Sequence, residues 1–226
     1  MKKLSTLILS FILVFSFTGC LDIYEEVHFN KDGSGKATYH YKVDGSGLNG
    51  LFGSEGILGG LGEKDSLALS ELSRNGISDI KVIQDGSGFG ISFKFEDIEA
   101  LNQGLARIIG TDKKGGLMDN AMRQIGGSKT KIERVPGFLG NDSLKNMLDK
   151  QGESLGMGSL SNMLTNSITY HQVYTFDRKI KSVSNDKAII SDNRRKMTLN
   201  IPFIEMLSGE STVENTIKLK KGCLWW

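Results

Sequence analysis

Apolar and polar residues alternate with period two at both ends of this chain, and the alternation breaks at Asp-Gly steps. Ile23, Val27 and Phe29 alternate with Tyr24, Glu26 and His28. Past the turn "NKDGSG", Ala37, Tyr39, Tyr41 and Val43 alternate with Thr38, His40 and Lys42. Period two on both sides of a glycine turn predicts a half-buried hairpin, and the odd-numbered apolar positions require a register that pairs odd with odd. A second pair follows the same recipe: Ile80 and Val82, then "QDGSG", then Phe89, Ile91, Phe93 and Phe95. Next, Asp97 can cap a helix whose Ile98, Leu101, Leu105, Ile108 and Ile109 recur at helical spacing, with Gly110 placed to stop it. A shorter helix is predicted at Ser66–Arg74.

The last third returns to strands. Ile168, Tyr170, Tyr174 and Phe176 share one face, with Gln172 the polar exception. Ile180 and Val183 lead to a turn at Ser184–Asp186, and Ala188 and Ile190 lead to another at Asp192-Asn193. Met197, Leu199 and Ile201 alternate, Pro202 can open a short helix "PFIEML", and Val213, Ile217 and Leu219 suggest a final strand. Hairpins with short helices between them predict an α+β fold with a largely antiparallel sheet.

Asp-Gly-Ser-Gly occurs at Asp32–Gly35, Asp44–Gly47 and Asp85–Gly88. A phosphate loop would need glycine five residues before Gly35 and Ser or Thr after Lys36; Asn30 and Ala37 stand there. A calcium loop starting at Asn30 would need a bidentate Glu at its twelfth position, which is Tyr41. Both readings fail, and a turn is expected, because Asp accepts local backbone bonds and Gly permits positive φ.

The N-terminus changes the picture. Lys2 and Lys3 precede an apolar run from Leu4 to Gly19, 16 residues long. As a helix it would rise about 24 Å, short of the ~20 residues a membrane span needs. A basic start, a short apolar core and small residues at its end describe an export signal. Phe17-Thr18-Gly19-Cys20 resembles the lipobox of bacterial lipoproteins, with Phe17 where Leu is commoner. The resemblance implies cleavage before Cys20 and acylation of Cys20. At about 0.8 kcal/mol per buried methylene, two or three acyl chains would hold the protein on a membrane essentially permanently. Leu21, in place of Asp after the cysteine, points to the outer membrane if the cell is Gram-negative.

Cleavage takes two lysines and no acid from 28 basic and 26 acidic residues, leaving a formal net charge of zero. No basic field remains to suggest a nucleic-acid partner. The expected organisation is a signal at 1–19, one domain at 20–220, and a tail at 221–226. If Cys20 carries lipid, Cys223 has no partner within the chain for a disulfide. A frayed terminus is expected for Cys223, Trp225 and Trp226.

Together, the lipobox cysteine, "IYEEVHFNKDGSGKATYHYKV", "FGISFKFEDIEALN" and "TFDRKIKSVSN…AIISDNRRKMTLNIP" resemble LppM-like bacterial lipoproteins. Where such sequences often carry Pro-Gly, this one has Asp177-Arg178. The resemblance implies an α+β envelope domain with a lipid- or glycolipid-facing role.

Candidate chemistry is sparse. His28 and His40 lie on the polar face of the first hairpin near Glu26, but solvent-facing histidines are expected there, with no metal. His171 has no identifiable nucleophile or acid partner. No G-x-S-x-G elbow occurs, and Glu25 and Glu26, adjacent in a strand, point to opposite faces and cannot share a task. No cofactor and no catalytic residue is therefore expected, and the only assigned site is lipid attachment at Cys20. Between Asp44 and Gly62, eight of nineteen residues are glycine, interleaved with Leu, Ile and Phe. This segment and a Leu/Met-containing one at 153–166 are expected to be mobile. The sequence thus predicts a non-enzymatic, membrane-anchored envelope lipoprotein that binds an apolar or amphipathic ligand, with these two segments as its wall. The alternative is a scaffold that adds a partner protein's strand to a sheet edge.

Overall fold

The computed structural model describes residues 20–44, 76–85, 88–108, 125–135 and 168–221. The turn at Asn30–Ser34 shows how local chemistry sets the first hairpin. Asp32 Oδ1 accepts from the Ser34 amide at 3.0 Å and from its hydroxyl at 2.7 Å. The Asn30 amide donates to the Ser34 carbonyl at 2.8 Å, and Gly33 takes φ 98°, a conformation that favours glycine. This turn joins β1 (Cys20–Phe29) to β2 (Gly35–Asp44), pairing Phe29 with Gly35 and Val27 with Ala37, odd with odd as expected.

The second hairpin joins β3 (Ile77–Asp85) to β4 (Gly88–Phe95), with Asp85 paired to Gly88. Its register shifts between Ser78 and Lys81, where Asp79 adopts φ 52°. The one-residue shift sets Ile77 opposite Phe95 and Val82 opposite Ile91, on one face of β4; Ile77 is buried and Val82 is 47% exposed. After β4, Asp97 caps α1 (Ile98–Ile108), its Oδ1 accepting from the Ala100 amide at 2.8 Å. A Cβ on Gly104 would stand 2.8 Å from Ile77 Cδ1 and 2.9 Å from Phe93 Cζ, so glycine lets α1 lie directly on this hairpin.

The remaining elements are β5 (Ile125–Ser128), β6 (Lys131–Arg134), β7 (Ile168–Phe176), β8 (Ile180–Val183), β9 (Ile189–Ile190), β10 (Lys196–Pro202), α2 (Phe203–Ser208) and β11 (Asn215–Leu219). Pro202 ends β10 and directly precedes α2, which closes on Gly209 at φ 77°. Sheet A runs β3-β4-β2-β1-β7-β10-β9, and sheet B runs β5-β6-β11-β8.

The expectation of an α+β fold is corrected here. About 60% of the described residues lie in strands, the described helices have only 11 and 6 residues, and the strands form two sheets. Among the described residues the fold is largely β, because most apolar positions there alternate with period two and pair into strands. Antiparallel pairing dominates, with one exception at the centre of sheet A: β1 and β7 run parallel, Glu25 beside Gln172. Strands β5 and β6 fall in a stretch where no strand was predicted.

The inner face of sheet A supplies most of the core. Val27, Phe29, Ala37, Phe93 and Phe95 meet Tyr174, Phe176, Met197, Leu199 and Ile201, all nearly or fully buried. Phe29 stacks on Phe176 at 5.4 Å and meets Phe95 and Tyr174 edge-on at 5.8 and 5.7 Å. Each such contact contributes about 0.5–1.5 kcal/mol beyond burial. Ile132, Ile180 and Ile217 bring sheet B into the same core. The segments 1–19, 45–62 and 153–166, the helix at Ser66–Arg74, the stop at Gly110, and the tail with Cys223, Trp225 and Trp226 lie outside the described residues.

Candidate functional site

Glu25 occupies the apolar face of β1, between Ile23 and Val27, and is buried there at 2% exposure. Its partner comes from the other sheet. Arg134 of β6, 0% exposed at its side chain, sends Nη2 to Glu25 Oε2 at 2.9 Å and Nε to both carboxylate oxygens at 3.2 Å. The hydroxyls of Tyr170 and Tyr174, which flank Gln172 on β7, also donate to Glu25, and Arg134 Nη1 donates to the Val135 carbonyl at 2.5 Å. The inter-sheet layer therefore encloses a fully desolvated ion pair whose acceptor positions are taken by protein donors.

Burial, and then the charge of Glu25, raise the Tyr174 phenol well above its ordinary value. Tyr39, paired with Glu25 across β2, is raised for the same reasons in the same order, with Arg134 opposing. For Arg134, burial acts to lower the pKa, but Glu25 together with Tyr174 and Tyr39 outweighs it, and the net direction is up. Both tyrosines are thus held neutral and the guanidinium charged. With its carboxylate enclosed and its donors committed, this cluster is suited to joining two sheets, and it offers no exposed acid or base for proton transfer.

On the opposite face of sheet A, the register sets His40, Tyr24, His171 and Asn200 in one row across four strands. Tyr24 stacks between His40 and His171, with centroids 4.5 Å away on either side, and Lys42 Nζ lies 5.5 Å from the Tyr24 centroid. Burial, followed by the charges of Asp22 and Glu26, raises the Tyr24 phenol. His171 does have an acid partner, contrary to the sequence expectation: Nε2 lies 3.1 Å from Asp22 Oδ1 and Nδ1 lies 2.9 Å from Asn200 Oδ1. The parallel β1–β7 pairing brings Asp22 there, and nothing in the local sequence indicates it.

The same register separates His28 from His40. His40 pairs with Tyr24, whereas His28 sits four residues along β1, bonded to Thr175 Oγ1 at 2.9 Å. Among the described residues no group of three or more His, Cys, Asp or Glu is placed to hold a metal. Glu25 and Glu26 do diverge to opposite faces, as alternation requires.

One further cluster has the look of a nucleophile and its base. Ser211 Oγ contacts Lys187 Nζ and donates to Glu205 Oε2 at 2.5 Å. Lys187 is itself ion-paired with Glu205 at 2.7 Å, and the hydrogen bonds from Lys187 and Ser211 hold the Glu205 carboxyl below its usual range. The three side chains bond to one another, and the cluster fastens the turn before β9 to α2.

Cys20, expected from the sequence to carry lipid, is the first residue of β1, its backbone paired with Asp44. No family model matches this chain, and no curated protein matches it. Among solved structures it is similar to the folded domain of Mycobacterium tuberculosis LppM, determined by NMR, with a TM-score of 0.45 and 6% sequence identity, covering 91% of this chain and 92% of that one.

Proposed function

We propose that this protein is a bacterial envelope lipoprotein, held on a membrane through acylated Cys20 and acting without enzymatic chemistry. One observation carries the reading: the expected cleavage point falls at the first residue of strand β1. Cutting before Cys20 would remove the whole apolar signal and no residue of any described strand. Cys20 opens a 10-residue strand at the heart of sheet A, so the lipid would attach at one end of the sheet with no spacer. The clusters of titratable side chains described above support the non-enzymatic part, since each is enclosed or fully engaged.

An apolar or amphipathic envelope ligand, a lipid or glycolipid, remains the activity this reading favours, with segments 44–62 and 153–166 as its wall. The rival reading, a partner strand added to a sheet edge, meets resistance at sheet A. Edge strand β3 carries a bulge at Asp79 and the exposed Lys81, and edge strand β9 has two residues. Both are devices that discourage strand addition.

Cys20→Ser is expected to abolish metabolic labelling with palmitate; persistent labelling would overturn the anchor. For the ligand, the Cys20→Ser protein is to be purified and its organic extract examined by mass spectrometry. A lipid at stoichiometric level supports the reading, and a co-purifying protein with no lipid favours the scaffold.

A further inference from the structure

The unmet polar atoms of the inter-sheet layer gather around one ion pair. In sheet A the register places Tyr39 and Gln172 on either side of Glu25; in sheet B it places Asn215 beside Arg134. Gln172 is 0% exposed, and both its amide oxygen and its amide nitrogen are buried without a hydrogen-bond partner. The Tyr39 hydroxyl and Asn215 Nδ2 are in the same condition. The other half of Asn215 is well used, its Oδ1 accepting from the Ser184 and Asn185 amides at 3.1 and 3.2 Å.

A buried amide with no partner loses its hydration and gains nothing in return. Such groups in folded proteins are ordinarily met by ordered water. The neighbouring groups decide what Gln172 can hold. Glu25 and Arg134 balance each other's charge, so nothing here calls for an ion. The unmet atoms comprise one carbonyl acceptor, two amide donors and one hydroxyl, a set that suits a small neutral molecule able both to donate and to accept. Tyr170 and Tyr174, the neighbours of Gln172 on its face of β7, are already turned to Glu25.

We infer that the layer between the two sheets binds internal water at the Gln172 amide, beside the Glu25–Arg134 pair, with Tyr39 and Asn215 as further polar contacts. This site is independent of membrane anchoring and of any envelope ligand. It explains why β7 keeps a glutamine where its alternation calls for an apolar residue.

A crystal structure of the protein showing ordered solvent tests the site directly. Water within hydrogen-bond distance of Gln172 Oε1 or Nε2 is the expected result; a Gln172 side chain bonded to protein atoms, or facing no density, overturns it. Magnetic relaxation dispersion of water oxygen-17 provides an independent measurement, since it counts long-lived internal waters. Gln172→Leu, similar in volume, is expected to lose at least one of them, and an unchanged count would overturn the assignment. Should that variant fail to fold, the native crystal structure alone decides.

Discussion

Glu25 and Arg134 stand 109 residues apart in the chain and close the gap between two sheets. Breaking such a pair from one side strands a buried charge, which typically costs about 3–5 kcal/mol. Arg134→Met is accordingly expected to lower the unfolding free energy by about that amount in urea titrations. Adding Glu25→Gln to it should cost less than the two single changes together, because the second change removes the stranded charge; strict additivity would show that the pair is not coupled. The tyrosines give the same site a pH signature. Their folded-state pKa values lie above the unfolded value of about 10, so this stabilisation is intact below about pH 10 and is lost as pH rises beyond it. Thermal midpoints should fall on the alkaline side, and Tyr174→Phe should make that fall shallower. Part of this was legible in the chain. Gln172 breaks its strand's pattern openly, and Glu25 is odd-numbered on an odd apolar face. Arg134 was not legible, because its role depends on a contact between strands far apart in sequence.

At the scale of elements, the strongest local signals were correct. Asp32 and Gly33 build the first turn by side-chain acceptance and positive φ, and Asp97 caps α1. A Cβ on Gly33 would meet nothing nearer than Lys129 Cγ at 3.6 Å, so the strain of a substitution there is purely in the backbone. Gly33→Ala is expected to cost about 1 kcal/mol, read from chemical unfolding, with the fold unchanged by circular dichroism. A neutral substitution would mean that the turn relaxes into another type. The two helices expected within the described residues, after Asp97 and after Pro202, are present, but strands dominate there and the fold is largely β. Strands β5 and β6 carry little sequence signal because they are four residues each, and "IGGS" offers one apolar position. The bulge at Asp79 was also hidden: it changes register within an otherwise regular alternation.

For the whole molecule, the decisive question is where the fold begins. If Cys20 is both the lipidation point and the first residue of the central strand, a chain starting at residue 20 should unfold cooperatively. A chain starting at residue 26 should not, because it lacks six of the ten residues of β1, Glu25 among them. Cooperative unfolding of the shorter chain would dissociate the domain boundary from the lipobox. The first hairpin with its odd-to-odd register, the caps and turns, and the failure of "NKDGSGK" as a phosphate or calcium loop follow from local chemistry and spacing. These are properties of residues within a few positions of one another, where periodicity and turn preference act directly. The division into two sheets, the parallel β1–β7 pairing, the Tyr24 stack with His40 and His171, and the buried ion pair were decided only by tertiary structure. Each depends on which distant strands become neighbours, and that choice is made by burial of the whole apolar surface at once.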